Sequence, residues 1–522
     1  MRALLFLSFL LSANVQAAAP WWEAGGLAGG LTDASAHAPA APEPLAPLRG
    51  IWVDAYGPGF KSPAEIDTLI RDAQALNLNA LFVQVVRRGD CYCSRSSLPL
   101  SSDPALEAGF DPLETLLERA HAAGLQVHAW VVTLALWGGD APPPDPAHAY
   151  NQHGPNASEA DWLNVRYDGE TRPQGDVYLD PGVPAVADHL AAAVGSIVEN
   201  YDVDGVTFDR LRYPDFNDGD APSWGYNAQS LARFAAETGV EGLPHPTDET
   251  WTTWRREQLT LLLRRLYLEA KRADPTVWVG AATIAYGAPP ETFSDAHAYR
   301  VVLQDWAGWL DAGFLDLNLL MNYKRHADPE AGAWFEPWNR YAATLQGGGL
   351  TAVATGSYLN DPDGTVAQAA AVVADTALAG WVGYSYRTPS DAVEAGSSDP
   401  QTVRDELAAR LTAPAAPFAE PVAAFGRPPP VTALWGRAEA DGSRGVQRVE
   451  LLRGGRVVAT TATDANGRYG FVLEGSDAVD DYLLRLEGGV AIPAPLRPGH
   501  VVAAPTLTRT WVAADEESTT TE

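Results

Sequence analysis

Eight short apolar runs alternate with eight amphipathic stretches of helical length between Arg49 and Leu411. The runs at 50–55, 79–86, 125–132, 204–209, 277–283, 315–322, 351–357 and 380–386 read as strands. The stretches at 62–76, 112–123, 184–199, 252–273, 299–312, 332–345, 364–378 and 400–411 read as helices. Asp111-Pro112-Leu113-Glu114 reads as an N-cap, a proline in the first turn and a capping-box acid. Gly124 and Gly313 stand where helices end. Strict alternation of this count predicts an α/β fold, a closed (β/α)8 or TIM barrel over 47–412. A doubly wound open sheet is the competing arrangement.

The flanks differ in kind. Arg2, the apolar run Ala3–Leu11 and the small residues Val15 and Ala17 read as a signal peptide over 1–19. Residues 20–46, rich in Ala, Gly and Pro, read as a linker. So do residues 413–430, which end in Pro428-Pro429-Pro430. Beyond them the apolar period becomes two. Runs at 431–438, 446–452, 456–463, 469–473 and 482–486, with a hairpin signal at Asn466-Gly467, predict a small β-sandwich over 431–510. The segment Thr463-Asp464-Ala465-Asn466-Gly467-Arg468-Tyr469 resembles carboxypeptidase-regulatory-like sandwich modules. Residues 511–522 read as a disordered acidic tail. A sandwich beyond a loose linker is expected to be dispensable for chemistry, so a truncation near Ala415 should leave the barrel folded. The module is a candidate for binding a surface or glycan.

The formal charge is −30, and Lys61, Lys271 and Lys324 are the only lysines. Such a surface repels nucleic acid and anionic membranes and suits a neutral substrate. No run reaches the length of a membrane span. Cys91 and Cys93 are too few for a disulfide framework or a zinc site, and read as loop residues, free or bonded to each other. Zinc-protease, nucleophile-elbow, P-loop and dinucleotide signatures are absent, and no cofactor is expected.

Side chains alternate along a strand, so one parity faces the barrel axis. That parity places Trp52 and Asp54 inward on the first strand and Gln84 on the second. It places His128 and Trp130 inward on the third, Thr207 and Asp209 on the fourth and Asn322 on the sixth. Buried polar groups cost about 1–3 kcal/mol each unless paired. Several at the C-terminal ends of strands, where barrels carry their sites, point to a polar cup.

The barrel resembles the family 10 glycosyl-hydrolase-like proteins. The residues that carry the likeness include Ile51-Trp52-Val53-Asp54, Gln84-Val85 with Gly89-Asp90, Phe110-Asp111-Pro112-Leu113 and Val127-His128-Ala129-Trp130. Tyr201 to Pro214, Trp254-Arg255-Arg256 and Met321-Asn322-Tyr323 complete the set. Val86, Thr207 and Arg210 depart from it, standing where the family often has Arg, His and a second Asp.

The resemblance implies an exported glycosidase acting on a carbohydrate. Glycoside hydrolysis generally uses two carboxylates flanking the scissile bond. Asp209 is the first choice for nucleophile or base, with Arg212 near enough to pair with it. Asp54 is the partner carboxylate and Asp90 its rival. Gln84, Arg88, His128, Trp130, Arg212, Tyr213, Asn322 and Tyr323 are the candidate sugar-binding residues. Trp137, Tyr150, Trp162 and Tyr178, in the long loop after the third strand, offer further aromatic faces. His128 reads equally well as a core histidine. A non-catalytic carbohydrate-binding barrel and a metal-assisted deacetylase are the alternatives.

Cleavage of the signal peptide should leave a mature chain beginning near Ala18 outside the cytoplasm. N-terminal sequencing of exported material checks this, and a retained Met1 would contradict it.

Overall fold

A computed structural model describes residues 45–155, 157, 161–215, 223–439, 446–473 and 481–508. The segments read as signal peptide and acidic tail lie outside the described residues, as does nearly all of the first linker.

Eight parallel strands close into a barrel: β1 (Leu48–Val53), β2 (Ala80–Val86), β3 (Gln126–Val132), β4 (Gly205–Asp209), β5 (Trp278–Ile284), β6 (Leu317–Met321), β7 (Leu350–Gly356) and β8 (Gly380–Tyr384). Each pairs with its sequence neighbours, and β8 closes on β1 through Leu48↔Gly380 to Ile51↔Gly383. All eight predicted strands are present, and closure excludes the open sheet.

Helices α1 (Pro63–Ala75), α2 (Pro112–Ala122), α3 (Pro184–Asn200), α4 (Glu249–Ala273), α5 (Trp306–Asp311), α6 (Phe335–Ala343), α7 (Pro362–Ala374) and α8 (Pro400–Leu411) surround the barrel. The helix expected over 299–312 is broken. A short turn at His297–Arg300 precedes α5, and Leu303 between them has φ +59°, which an α-helix does not accommodate. A further helix, Ala228–Thr238, was not anticipated.

Acids at the N-terminal ends of strands stitch the lower rim. Asp204 accepts from Val127 N at 2.8 Å and from His121 Nε2 at 2.9 Å. Asp316 accepts from Val279 N at 2.9 Å and pairs with Lys271 at 2.7 Å. These partners give both acids a structural role at the rim.

Residues 413–430 are not a loose linker. They lie across the lower end of the barrel, with Phe418 and Phe425 fully buried. Phe425 stacks on Trp278 at 5.0 Å, and Phe418 meets Trp381 edge-on at 5.4 Å. Strap carbonyls accept from barrel side chains: Arg49 Nη1 donates to Glu420 O, Asn77 Nδ2 to Phe418 O and Asn79 Nδ2 to Ala423 O. Arg427 then pairs with Asp274 at 2.7 Å and Asp202 at 3.1 Å. Proline suits this extended path because few of its amides are needed as donors.

The C-terminal module is two small sheets around one apolar core that includes Leu434, Phe471, Leu451 and Leu484. Strand Thr432–Glu439 pairs with Arg468–Leu473 and Val501–Ala503. Strand Arg448–Arg453 pairs with Arg456–Ala462 and Tyr482–Leu486. Asn466-Gly467 is a turn, with Gly467 N donating to Asp464 O, but it does not make the expected hairpin. The strands on either side of it enter different sheets.

The module is fastened to the barrel. Arg264 of α4, buried, donates to Thr461 Oγ1 and Ala462 O, and Asn466 Nδ2 donates to Pro184 O. Against the expectation that cutting near Ala415 is harmless, such a cut would remove part of the barrel's own core.

A chain ending at Ala415 should melt well below one ending at Pro430, since losing a buried Phe side chain typically costs about 3–5 kcal/mol. Thermal denaturation of the two checks this. Equal melting temperatures would show that the strap contributes nothing.

Candidate active site

An aromatic layer divides the barrel interior. Trp52 meets Phe82 at 5.2 Å and Trp130 edge-on at 4.8 Å, and all three are almost fully buried. Beneath it lies His128, fully buried, stacked on Phe82 at 4.5 Å and bonded to Gln126 Oε1 at 3.4 Å. Burial lowers its pKa to about 4, so it is neutral. Gly205 leaves room for the ring: a Cβ there would lie 2.1 Å from His128 Nδ1. His128 is a core histidine, and the structure does not bring it to the cup.

Above the layer stands Asp209, at the end of β4. Trp130 Nε1 donates to its Oδ2 at 3.1 Å, and the backbone N of Arg210 donates to its Oδ1 at 2.7 Å. Arg210 holds φ at +54°, a left-handed conformation uncommon for a residue with a side chain. Its guanidinium donates to Tyr178 OH at 2.7 Å. Burial opposes the Arg210 charge, yet Tyr178, Asp209, Asp215 and Asp176 around it raise its pKa further. Strain of this kind, held by neighbours, concentrates at functional sites.

Asp54 stands three strands round the ring from Asp209. It is 2% exposed. Arg387 Nε donates to both its oxygens, at 2.9 and 3.0 Å, and Tyr56 N donates to Oδ1 at 3.0 Å. Gly57 makes this possible, because a Cβ there would lie 2.5 Å from Arg387 Cδ. Tyr384 lies between the two acids. Burial raises its pKa, and the charges of Asp54 and Asp209 add to the rise. Tyr323 stacks on Tyr384 at 5.4 Å, and Tyr358 meets Tyr384 edge-on at 5.9 Å. The cup is thus two carboxylates, two arginines and a tyrosine wall.

The other expected residues divide. Gln84 faces the cup and accepts from Ala55 N at 3.0 Å, fixing the loop that carries Tyr56. Arg88 pairs with Asp176 at 3.0 Å and lies over Tyr56. Asp90 is buried in the loop after β2, with Oδ1 lacking a hydrogen-bond partner among the described residues.

Arg212 pairs with Asp215 at 3.4 Å and not with Asp209, since the reversal at Arg210 carries it past that acid. Tyr213 is buried beside Arg255, away from the cup. Asn322 faces the helix layer, donating to Phe335 O and Asn339 Oδ1, both at 2.9 Å. The inward residues of β6 are Leu317, Leu319 and Met321, followed by Tyr323. Register shows this, because Leu317 sits opposite inward Gly280.

Of the loop aromatics, Tyr178 joins the cup through Arg210. Trp162 instead stacks on His153 at 3.5 Å, and Trp137 donates to Ala141 O. Arg387, Arg210 and Tyr384 were not expected from the sequence. Cys91 and Cys93 are disulfide-bonded to each other in the buried start of the second loop. Among the described residues, no group of three His, Cys, Asp or Glu is placed to hold a metal ion.

The Asp54–Arg387 pair is expected to couple by about 1–3 kcal/mol. A double-mutant cycle of Asp54→Asn and Arg387→Gln, read by urea denaturation, checks this. Additive effects would mean that the pair does not hold the cup together.

The sequence profile of the glycosyl hydrolase-like 10 family matches residues 47–337. Glycosyl hydrolase DigH of Escherichia coli K12 is 25% identical over 313 residues, which are 52% of this chain and 64% of that protein. Glycosyl hydrolase YngK of Bacillus subtilis 168 is 23% identical over 261 residues, 48% of this chain and 46% of that protein. The chain thus spans less than two-thirds of these relatives' lengths.

Among solved structures, the PgaB (BpsB) glycoside hydrolase domain from Bordetella bronchiseptica is similar at 15% identity and a TM-score of 0.48. The match covers 69% of this chain and 98% of that one. Alpha-L-fucosidase isoenzyme 2 from Paenibacillus thiaminolyticus is similar at 15% identity and TM-score 0.48, covering 70% and 49%. With more than half its length matched by the family profile, this chain belongs to the glycosyl hydrolase-like 10 family.

Proposed function

We propose that this protein is an exported glycoside hydrolase that cleaves glycosidic bonds of a poly- or oligosaccharide, with Asp209 as the reacting carboxylate. The observation that carries the reading is the seat of Asp209: inward at the end of β4, held from both sides by Trp130 and Arg210 beside the tyrosine wall. Two N–H donors fix the carboxylate's orientation, so it need not reorganise as charge develops at the anomeric carbon. Tyr323, Tyr358 and Tyr384 offer ring faces and hydroxyls that suit a sugar. Asp209 acts as nucleophile or as base toward water. Asp54 is the partner carboxylate across the cup, and Asp90 its rival. Export is supported by the N-terminal signal pattern and by the Cys91–Cys93 disulfide, which persists best in an oxidising compartment.

One observation favours a second reading. Asp54 has both oxygens taken by Arg387, an arrangement that suits binding sugar hydroxyls better than delivering a proton. A barrel that binds carbohydrate without cleaving it is therefore the alternative.

Release of reducing ends from a panel of soluble polysaccharides separates the two. Hydrolysis by the parent, with turnover in Asp209→Asn cut by about a thousandfold or more, is the expected result. The asparagine must set its NH2 against one of these two N–H donors, so stability should fall by about 1–3 kcal/mol at most. Binding without hydrolysis by the parent would support the second reading. Hydrolysis that survives Asp209→Asn would remove Asp209 from the mechanism.

A further inference from the structure

The seam between α4 and the C-terminal module forms a crevice that opens to solvent. Four arginines line it: Arg264, Arg265 and Arg272 from the barrel and Arg468 from the module, with Trp435 as an apolar wall. Asp464 and Glu269 are its acidic lining residues, and Asp188 and Glu199 stand beside it, so the arginines are gathered together on a chain of charge −30. A second, smaller crevice mouth adjoins it, sharing Leu261 and Asp464.

Arg264 is matched by Thr461 and Ala462, and Arg272 by Glu199 and Glu269. Arg265 and Arg468 are not matched in this way. Both approach the same oxygen of half-exposed Asp188, at 3.7 and 3.6 Å, beyond hydrogen-bond reach. Glu269 lies 3.9 Å from Arg265. The buried Nε of each has no hydrogen-bond partner among the described residues.

The two guanidiniums also repel one another. Burial, then the charges of Arg265 and Arg437, lower the pKa of Arg468. Unmatched buried N–H groups and crowded like charges are each costly, and one anion relieves both. Arginine forks suit oxyanions, which they can hold through two N–H groups. At physiological salt, charges beyond about 8 Å are screened, so the acidic surface elsewhere on the chain does little to keep an anion from the seam.

We propose that this seam binds an oxyanion, a carboxylate or sulfate group, between Arg265 and Arg468. The group comes either as a free ion or on an acidic saccharide that Trp435 flanks. The site joins barrel to module, so occupancy also strengthens their contact. It is independent of the chemistry assigned to the cup.

The test is the melting temperature of the full chain titrated with sodium sulfate, with trigalacturonate and with maltotriose, at ionic strength held constant with sodium chloride. A saturable rise of several degrees with either anion, and none with maltotriose, is expected. A rise with sulfate as large as that with the uronide assigns the site to free anions, and a rise confined to the uronide assigns it to acidic saccharide. The double variant Arg265→Gln/Arg468→Gln should lose the response while melting no lower than the parent in chloride alone. If that variant fails to fold, Arg265→Lys/Arg468→Lys keeps the charge but not the fork, and should respond at least tenfold more weakly. No saturable rise in the parent with any anion, or an unchanged response in the folded variants, would overturn the proposal.

Discussion

The contact between Trp52 and Trp130 sets what the interior of this barrel can be. Two indoles meeting edge to face, with Phe82 beneath them, fill the barrel where eight strands leave a channel too narrow for solvent. Below that layer, polar groups must find partners in the protein, and His128 stays neutral. Above it, side chains of the same inward parity reach an open cup. Trp130 belongs to both regions: its ring seals the core while its N–H orients Asp209. A carboxylate carried on a packed indole is held more rigidly than one on a free loop.

The lower end of the barrel is closed by a different device. The strap gives Phe418 and Phe425 to the barrel, and its carbonyls accept from Asn77 and Asn79 just before β2. Arg427 draws together acids from the segments preceding β4 and β5. The strap leads directly into strand Thr432–Glu439, whose sheet lies against α4. Barrel, strap and module are therefore one packed unit, although composition suggests two domains on a tether.

Legibility in the sequence followed the strength of the local signal. At the ends of strands β1 to β4, aliphatic or aromatic outward residues adjoin Asp54, Gln84, Trp130 and Asp209, so parity marks these four as inward. Strand β6 reads Leu-Asn-Leu-Leu-Met, apolar on both faces, and parity there was ambiguous; Asn322 was assigned to the wrong side. The strap was missed because proline content masked two isolated phenylalanines. Arg387 was missed because its partner lies 333 residues away, and no local pattern announces a pairing made only when the ring closes. The Arg210 conformation likewise comes from tertiary contacts and not from local preference.

The central claim is that the Asp209 carboxylate acts at the anomeric carbon. Chemical rescue tests it most directly. Asp209→Ala should be inactive on a saccharide that the parent cleaves, and added azide should restore turnover by taking the carboxylate's place, releasing a glycosyl azide detectable by mass spectrometry. An Asp209→Ala protein that still hydrolyses the saccharide without azide, or that azide leaves inactive, would contradict the account.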